Sequence, residues 1–278
     1  MDDGDPPGLR KEPLCADGEL GGGALDWAEL TLFMMILARM SGFVLFNPMF
    51  GRQSIPGLIK SGLILLLSAA TFSMTAYRPE VPGTVLEMAV HFLLEMGLGY
   101  ILGLVMNVFF YIPLLSGETI DTQMGMSMGK TYDPGSQSSI SVTATLLNIL
   151  MTLLFFAANG HHTLLRIILC SGQVIPFGAV AFGESVYAAV LEIFIDCTVM
   201  AIKLCMPILA AELLGQVGMG ILMKVIPQIN VFAINIELKV IIGLSLLLIL
   251  LTPFSEYLLE LETRMLRALQ SMLPLMAG

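Results

Sequence analysis

Charged and histidine side chains recur at helical spacing inside the apolar runs of this 278-residue chain. Glu87, His91 and Glu95 follow one another every four residues, which places them on one face of a helix. In a membrane helix such a stripe suits a proton relay, because ionisable groups at that depth are costly and are usually functional. The same stripe suits packing against a partner or the headgroup zone, and this second interpretation is the one we favour.

A second stripe of charged residues, Glu192, Asp196 and Lys203, lies on a later apolar helix and also falls on a narrow helical face. Together the two stripes support an alternative function, a stand-alone ion-coupled carrier with broken helices near the bilayer midplane. No internal repeat matches one half of the chain to the other, and this argues against a carrier.

Catalytic motifs are not evident, and the chain is not predicted to be an enzyme or to hold a cofactor or metal. His161-His162 lacks the glutamate and the four-residue spacing of a zinc protease. A serine–histidine pair like that of a rhomboid protease has the residue types but no motif, and no nucleotide or nucleophile-elbow motif occurs. The four cysteines show neither CxxC nor zinc-like spacing, so a structural role is expected.

The segment from Ser116 to Pro134 is polar, yet long apolar runs flank it on both sides. It contains Glu118, Asp121, Lys130 and Asp133, the pair Gly125-x-x-x-Gly129, and methionines at alternate positions: Met124, Met126 and Met128. Backbone that is not hydrogen-bonded is tolerated at membrane depth only where it is packed in protein or lines a watery cavity. We therefore expect an irregular segment here that carries the function, mounted on the surrounding helices.

Composition places the chain among integral membrane proteins, because 56% of its residues are hydrophobic, 13% are charged and its mean hydropathy is +0.86. Much of the net charge of −9 comes from acidic residues among the first 29, and no basic patch suggests nucleic acid. Residues 1–23 are rich in Asp, Gly and Pro and lack the features of a secretory signal, so they are predicted to be a disordered acidic tail.

The hydropathy pattern predicts an all-α fold of helical hairpins. Apolar helices are expected from Leu30 to Phe50, from near Pro56 to Ala76, from Val85 to Leu115, from Val142 to Ala158, from Val186 to Leu214 and from Val231 to Leu251. Breaks are expected at Asn47-Pro48, at Asn159-Gly160, at Pro176-Phe177-Gly178 and in a polar turn over 215–227. Gly99-x-x-x-Gly103 predicts a close helix crossing. Residues 256–273 form an amphipathic helix that is expected to dock on a surface or a partner.

Six short motifs, taken in order, resemble the FliR family of flagellar biosynthetic proteins and their SctT counterparts in virulence-type secretion. The motifs are Ala38-Arg39 with Pro48-Met49-Phe50-Gly51 and Ile55-Pro56; Gly117 to Gly125; Asp133-Pro134-Gly135-Ser136; Phe155 to His162; Pro176-Phe177-Gly178; and Pro227 to Phe232. The resemblance covers about residues 24–278 and leaves the acidic tail without a counterpart.

The resemblance implies a non-enzymatic subunit of the type III export gate in the flagellar basal body. In that gate, FliP-like and FliQ-like subunits, with an FlhB-like protein, would complete a channel for unfolded substrates across the bacterial inner membrane. Residues 24–185 would correspond to a FliP-like part, and residues 186–278 to a FliQ-like hairpin with a C-terminal amphipathic helix. Residues implied in subunit packing are Arg39, Pro48, Pro56, Asp133, Pro134, Asn159, Gly160, His161, Pro227 and Gln228.

The resemblance also implies that residues 117–130, here called the methionine segment, form a plug in the closed pore. The plug residues would be Gly117, Met124, Gly125, Met126, Met128 and Gly129. Methionine is unbranched and adaptable, so it can seal a pore and then reshape around a passing chain, and glycine lets the segment bend. The alternative is that these methionines simply fill a core.

Two positions depart from the family pattern. Asp121 stands where many members carry glycine, and Asn235-Ile236-Glu237 replaces a Gly-Phe-Pro sequence. The loss of that proline puts a kink there in doubt. Glu237, with Lys224 and Lys239, is instead predicted to form an ion pair between subunits.

Overall fold

The computed structural model describes residues 27–52, 54–75, 83–126, 141–225 and 231–277, and for 231–234 and 236 the backbone alone. Within those ranges the chain is all-α, and strand-like pairing is confined to an isolated bridge between Val180 and Ala277. The helices are α1 (Trp27–Phe46), α2 (Gly57–Met74), α3 (Val85–Gln123), α4 (Val142–Ala157), α5 (Gly160–Leu169), α6 (Ser171–Val174), α7 (Glu184–Val225), α8 (Val231–Ile249) and α9 (Leu251–Leu275).

Helix α3 is the centre of the fold, and α1, α4, α7 and α9 pack around it. Its closest neighbour is α1, and glycines on both helices line the contact. A Cβ at Gly99 would overlap the carbonyl oxygen of Arg39, and one at Gly103 would lie 3.1 Å from the carbonyl carbon of Phe46. The predicted close crossing at Gly99-x-x-x-Gly103 is therefore confirmed.

Helix α3 continues through Gln123, so the predicted end at Leu115 is wrong and residues 117–123 of the methionine segment are helical. The hydroxyl side chains of this stretch are hydrogen-bonded within the helix. The hydroxyls of Ser116, Thr119 and Thr122 each donate to the carbonyl four residues earlier, at 2.7–2.8 Å. A hydroxyl that donates to a carbonyl of its own helix is satisfied there, so a polar sequence can be helical in apolar surroundings.

Helix α7 also runs further than predicted, since it continues through residues 215–225, where a glycine-containing turn was expected. Helix α8 packs beside it, and Ile242 lies 3.7 Å from the Cβ position of Gly215. Glycine costs a helix about 1 kcal/mol relative to alanine. Packing against a neighbouring helix offsets such a cost, because tertiary contacts supply most helical stability.

The chain bends sharply at two places, and the first is the predicted break at Asn159-Gly160. The axes of 142–157 and 160–174 meet at 70°, and those of 237–249 and 251–275 meet at 61°. At the first bend Asn159 adopts a left-handed conformation, with φ of 59°. Asparagine tolerates this conformation better than most residues, so the chain turns here without a glycine.

Helix α9 is amphipathic as predicted, and the chain itself covers its apolar face. The buried stripe comprises Leu258, Leu261, Met265, Leu269 and Met272. This face packs on α3, α4, α5 and α7, so the C-terminal part of the chain is joined to the N-terminal part through its last helix. On the outer face, Arg264 and Glu260 form an ion pair at 2.7 Å.

Among the residues that the structure describes, four helices, α1, α2, α3 and α7, are long and apolar enough to cross a membrane, and up to six spans result if each bent pair counts as one. The expected class, an all-α integral membrane protein, is confirmed. Helix α7 has 42 residues and would be about 63 Å long at 1.5 Å per residue. The hydrocarbon core is about 30 Å thick, so a large part of α7 extends beyond it.

Candidate functional site

A buried cluster around Arg39 joins α1, α3 and the chain that follows α6. Arg39 and Glu95 form an ion pair at 2.6 Å, and the side chains of both are 0% exposed. Arg39 also donates to the hydroxyl of Ser171 at 3.1 Å and to the carbonyl oxygen of Ile175 at 3.3 Å. A buried guanidinium needs this many acceptors, because desolvation is otherwise uncompensated.

The predicted break Pro176-Phe177-Gly178 supplies the rest of this Arg39 cluster. The guanidinium carbon of Arg39 lies 4.2 Å from the centre of the Phe177 ring. The second oxygen of Glu95 accepts from the backbone N–H of Gly178 at 2.8 Å. Gly178 has φ of 89°, a conformation that favours glycine. The residues of the break therefore cover the buried charges within this chain, while the role of Arg39 in packing between subunits stays a prediction.

The stripe Glu87, His91 and Glu95 does not act as a unit. Glu87 accepts from the backbone N–H of Gly83 at 3.1 Å, while its own N–H donates to Thr84, an arrangement that caps the start of α3. His91 lies near Gly178 with a buried Nδ1 that has no partner among the described residues. Glu95 belongs to the Arg39 cluster. Because Glu87 caps a helix and Glu95 forms a structural ion pair, the stripe does not support a proton relay.

The second stripe lies elsewhere. Glu192, Asp196 and Lys203 are exposed on α7. The buried residues that lie between them in the sequence pack on the later half of α3. Val108 of α3 borders that contact, and it lies 13 residues after Glu95, or about 20 Å along the helix. The two stripes are thus not brought together.

Asp121, near the end of α3, caps the N-terminus of α4, the helix that follows the methionine segment. Its Oδ2 accepts from the hydroxyl of Ser141 at 2.6 Å and from the backbone N–H of Thr143 at 3.3 Å. Ser141 is the N-cap of α4, and its own oxygen accepts from Ala144. A carboxylate at a helix N-terminus satisfies free N–H groups and suits the helix dipole. This departure from the family pattern ties the end of α3 to the start of α4.

Gly125 ends α3. The N–H of Gly125 donates to the carbonyl of Thr122 at 3.1 Å, and the N–H of Met126 donates to that of Asp121 at 3.0 Å. With φ of 81° at Gly125, this is the Schellman arrangement. The glycine thus sets the point where the methionine segment leaves the helix.

Met124 and Gly117 are packed inside the protein. Met124 is 0% exposed, and a Cβ on Gly243 of α8 would lie 2.5 Å from its Cγ. A Cβ on Gly117 would overlap the backbone of Ala144 in α4. Met124 is therefore in a core contact and Gly117 permits a helix crossing, and the plug role of both residues stays a prediction. Met126 is half-buried against the same core.

The Asn159-Gly160-His161 motif lies against the buried carboxylate of Glu262 in α9. A Cβ on Gly160 would overlap Oε1 of Glu262 and lie 2.7 Å from the Phe155 ring. Glu262 Oε2 is buried with no hydrogen-bond partner among the described residues. The His161 ring packs on Phe156 with centroids 5.2 Å apart. The motif thus makes room for α9 at the sharp bend.

Pro48 and Pro56 lie at the turn between α1 and α2, as predicted. Asn47 accepts there from the N–H of Met49 at 2.9 Å, and Pro56 is the N-cap of α2. Lys60 of α2 donates to the carbonyl of Gly51 at 2.9 Å. These contacts close the first hairpin.

Lys224, Glu237 and Lys239 make no ion pair with one another in the described structure; Lys224 and Glu237 are exposed and Lys239 is half-buried. Their pairing between subunits stays a prediction. The remaining predicted residues, Met128, Gly129, Asp133, Pro134, Pro227 and Gln228, and the acidic tail lie outside the described residues.

Several residues of the site escaped sequence reasoning. Ser171, Glu262 and Gly243 carry no local motif, since their partners lie 102 to 132 positions away in the chain, on other helices. Among the described residues, no group of three or more His, Cys, Asp or Glu could hold a metal ion.

Comparison with known proteins gives a consistent result. The family described as "Bacterial export proteins, family 1" matches residues 30–265. The flagellar biosynthetic protein FliR of Escherichia coli (strain K12) is 27% identical over 259 residues, which cover 90% of this chain and 96% of that protein. FliR of Pectobacterium carotovorum subsp. carotovorum is 30% identical over 235 residues, covering 81% and 86%. FliR of Bacillus subtilis (strain 168) is 26% identical over 224 residues, covering 78% and 85%.

Proposed function

The chain belongs to the bacterial export proteins, family 1, and from that membership we propose that it is a subunit of the flagellar protein export gate. It would act in the bacterial inner membrane at the flagellar basal body. FliP-like and FliQ-like subunits, with an FlhB-like protein, would complete the channel for unfolded substrates. In this arrangement residues 24–185 take the FliP-like place, and residues 186–278 take the FliQ-like place.

The outer face of α7 is the observation that carries this proposal. Charged Glu192, Asp196 and Lys203 lie there between exposed apolar side chains: Leu191, Phe194, Ile195, Val199, Ile202 and Met206. A charge facing lipid at the helix centre costs about 2.5–3.5 kcal/mol or more. A large apolar face is rarely left exposed to water and marks an interaction surface. Both problems are removed if neighbouring subunits cover α7, and a pore-forming assembly provides such neighbours.

Substitutions on this face test assembly directly. Glu192→Leu with Asp196→Leu removes two charges, and it should abolish co-purification with tagged FliP-like and FliQ-like subunits if those charges meet partner groups. Glu256→Leu, at an exposed position of α9, serves as the control and should leave co-purification intact. If the α7 variant co-purifies as well as the parent protein, the α7 face is not the assembly surface.

We also propose that the methionine segment closes the resting pore. The described structure supports an anchored segment: Met124 is buried against α8, Gly125 ends α3, and Asp121 holds the start of α4. The described chain is thus held in place on both sides of residues 127–140. A segment rich in methionine and glycine suits a plug that deforms and returns.

Ion leak through the assembled complex tests the plug. Deletion of residues 126–129, which leaves buried Met124 in place, should raise membrane leak. Met74→Ala, at an exposed methionine of α2, is the matched control and should stay tight. A membrane that remains sealed after the deletion would argue strongly against the plug while leaving the export-gate assignment standing.

The alternative, a stand-alone ion-coupled carrier, is disfavoured because Glu95 is committed to Arg39 and the two charged stripes lie apart. The purified chain alone in liposomes should give no substrate-dependent proton or sodium flux. Measured flux that Glu192→Gln abolishes would favour the carrier.

A further inference from the structure

A cleft of about 480 Å³ lies where α5, α6 and α9 meet. Its polar lining comprises Thr163, Arg166, Gln173 and Gln270, and its apolar lining comprises Ile167, Val174 and Leu273, with Cys170 in the wall. This volume is within the range of small-molecule sites, about 300–1,000 Å³. The cleft is separate from the Arg39 cluster and from the methionine segment.

The polar side chains of the cleft have no partners in the described structure. Arg166 is exposed and forms no ion pair with a described carboxylate, and the amides of Gln173 and Gln270 make no hydrogen bond to another described residue. A guanidinium presents donors in a planar fork that matches a phosphate or carboxylate. Amide N–H groups beside it add further donors, so the cleft suits an anionic oxygen ligand.

The setting of the cleft narrows the choice of ligand. Helix α5 has ten residues and follows a 70° bend, so it is too short to cross the bilayer by itself. Helix α9 is amphipathic, with exposed Arg264 and Arg267 on its polar side. The apolar face of α9 is covered by the chain itself, so Arg264 and Arg267 lie on its outer face. Basic pockets between membrane helices bind the headgroups of anionic lipids.

We propose that this cleft binds an anionic phospholipid. Arg166 holds the phosphate, Gln173 and Gln270 donate to its oxygens or to the glycerol headgroup, and Ile167, Val174 and Leu273 contact the start of the acyl chains. The inference depends on the membrane setting of the chain and not on the plug.

Cys170 is a built-in reporter of this site, because it is half-buried in the cleft wall whereas Cys197 and Cys205 are fully buried. In a Cys15→Ser background, a soluble maleimide should label Cys170 of the full-length protein in nanodiscs. We expect labelling to be slower by on the order of tenfold in phosphatidylglycerol than in phosphatidylcholine, since a charge-assisted contact contributes about that factor. Arg166→Ala should restore the faster rate, and Arg166→Lys should restore part of it.

Arg264→Ala is the control. Like Arg166→Ala it removes one positive charge, but this arginine lies on α9 and is already paired with Glu260. It should keep the protection by phosphatidylglycerol. Equal labelling in the two lipids, or equal loss of protection in Arg264→Ala, would overturn the proposal. Equal protection by inorganic phosphate in phosphatidylcholine nanodiscs would identify a free-phosphate site and would overturn the lipid assignment. Cys197 and Cys205 should stay unlabelled throughout and so report that each variant is folded.

Discussion

The Arg39–Glu95 pair permits a quantitative test of how the fold is held together. Both side chains are 0% exposed and 2.6 Å apart, and three further polar groups surround them. Arg39→Met leaves the Glu95 carboxylate with the Gly178 N–H as its one remaining donor among the described residues. Removing one partner of a buried pair costs about 3–5 kcal/mol, because the other charge stays buried and unpaired.

The double variant separates pairing from burial. Arg39→Met with Glu95→Leu removes both charges. Neutral groups such as the Ser171 hydroxyl then each lose one hydrogen bond, which contributes about 1 kcal/mol. We therefore expect the double variant to lose only about 1–3 kcal/mol of unfolding free energy. The double-mutant cycle should give a coupling of about 3 kcal/mol or more between the two residues.

A matched pair on the same protein provides the control. Glu260 and Arg264 have the same chemistry and a similar distance, 2.7 Å, but are 55% and 56% exposed. Their coupling should be about 0.3–0.5 kcal/mol, because solvent screens an exposed pair. The assay is denaturant unfolding of the detergent-solubilised full-length protein, followed by far-ultraviolet circular dichroism. A coupling below about 1 kcal/mol for Arg39 and Glu95 would refute the claim that burial makes this pair strong.

Three further predictions test local geometry. Gly99→Leu should separate α1 from α3 and destabilise the protein by several kcal/mol, on the order of an overpacked core. Gly62→Leu is the control, because a Cβ there has nothing within 4 Å, and it should change the melting temperature little. Asp121→Ala should cost about 1 kcal/mol, the usual loss of a helix cap, and should speed proteolysis between α3 and α4; unchanged cleavage would mean that the cap is dispensable. Asn159→Ala should cost about 1–2 kcal/mol at its left-handed φ while Asn159→Gly should be near neutral, and a melting temperature equal in the two variants would contradict that account.

Local sequence was a good guide wherever one residue type decides the backbone. Asn47-Pro48, Asn159-Gly160 and Pro176-Phe177-Gly178 each end a helix, because proline and left-handed conformations restrict the chain whatever surrounds it. The sequence was a poor guide at residues 116–123 and 215–225. Both stretches are polar or glycine-containing and were expected to be irregular, yet both are helical. The hydroxyls of the first are hydrogen-bonded within α3, and the second packs against α8.

The amino-acid sequence by itself determined the class of this protein, the places where its helices break and its kinship with export proteins, because composition, proline, glycine and short motifs are local properties. Only the tertiary structure decided the partners of its buried charges. Arg39 could be recognised as costly, but its match with Glu95 and Ser171 depends on how α1, α3 and α6 pack. No local signal likewise showed that Met124 packs beside Gly243 of another helix. Pairing across tens of residues is set by packing, and no local pattern encodes it.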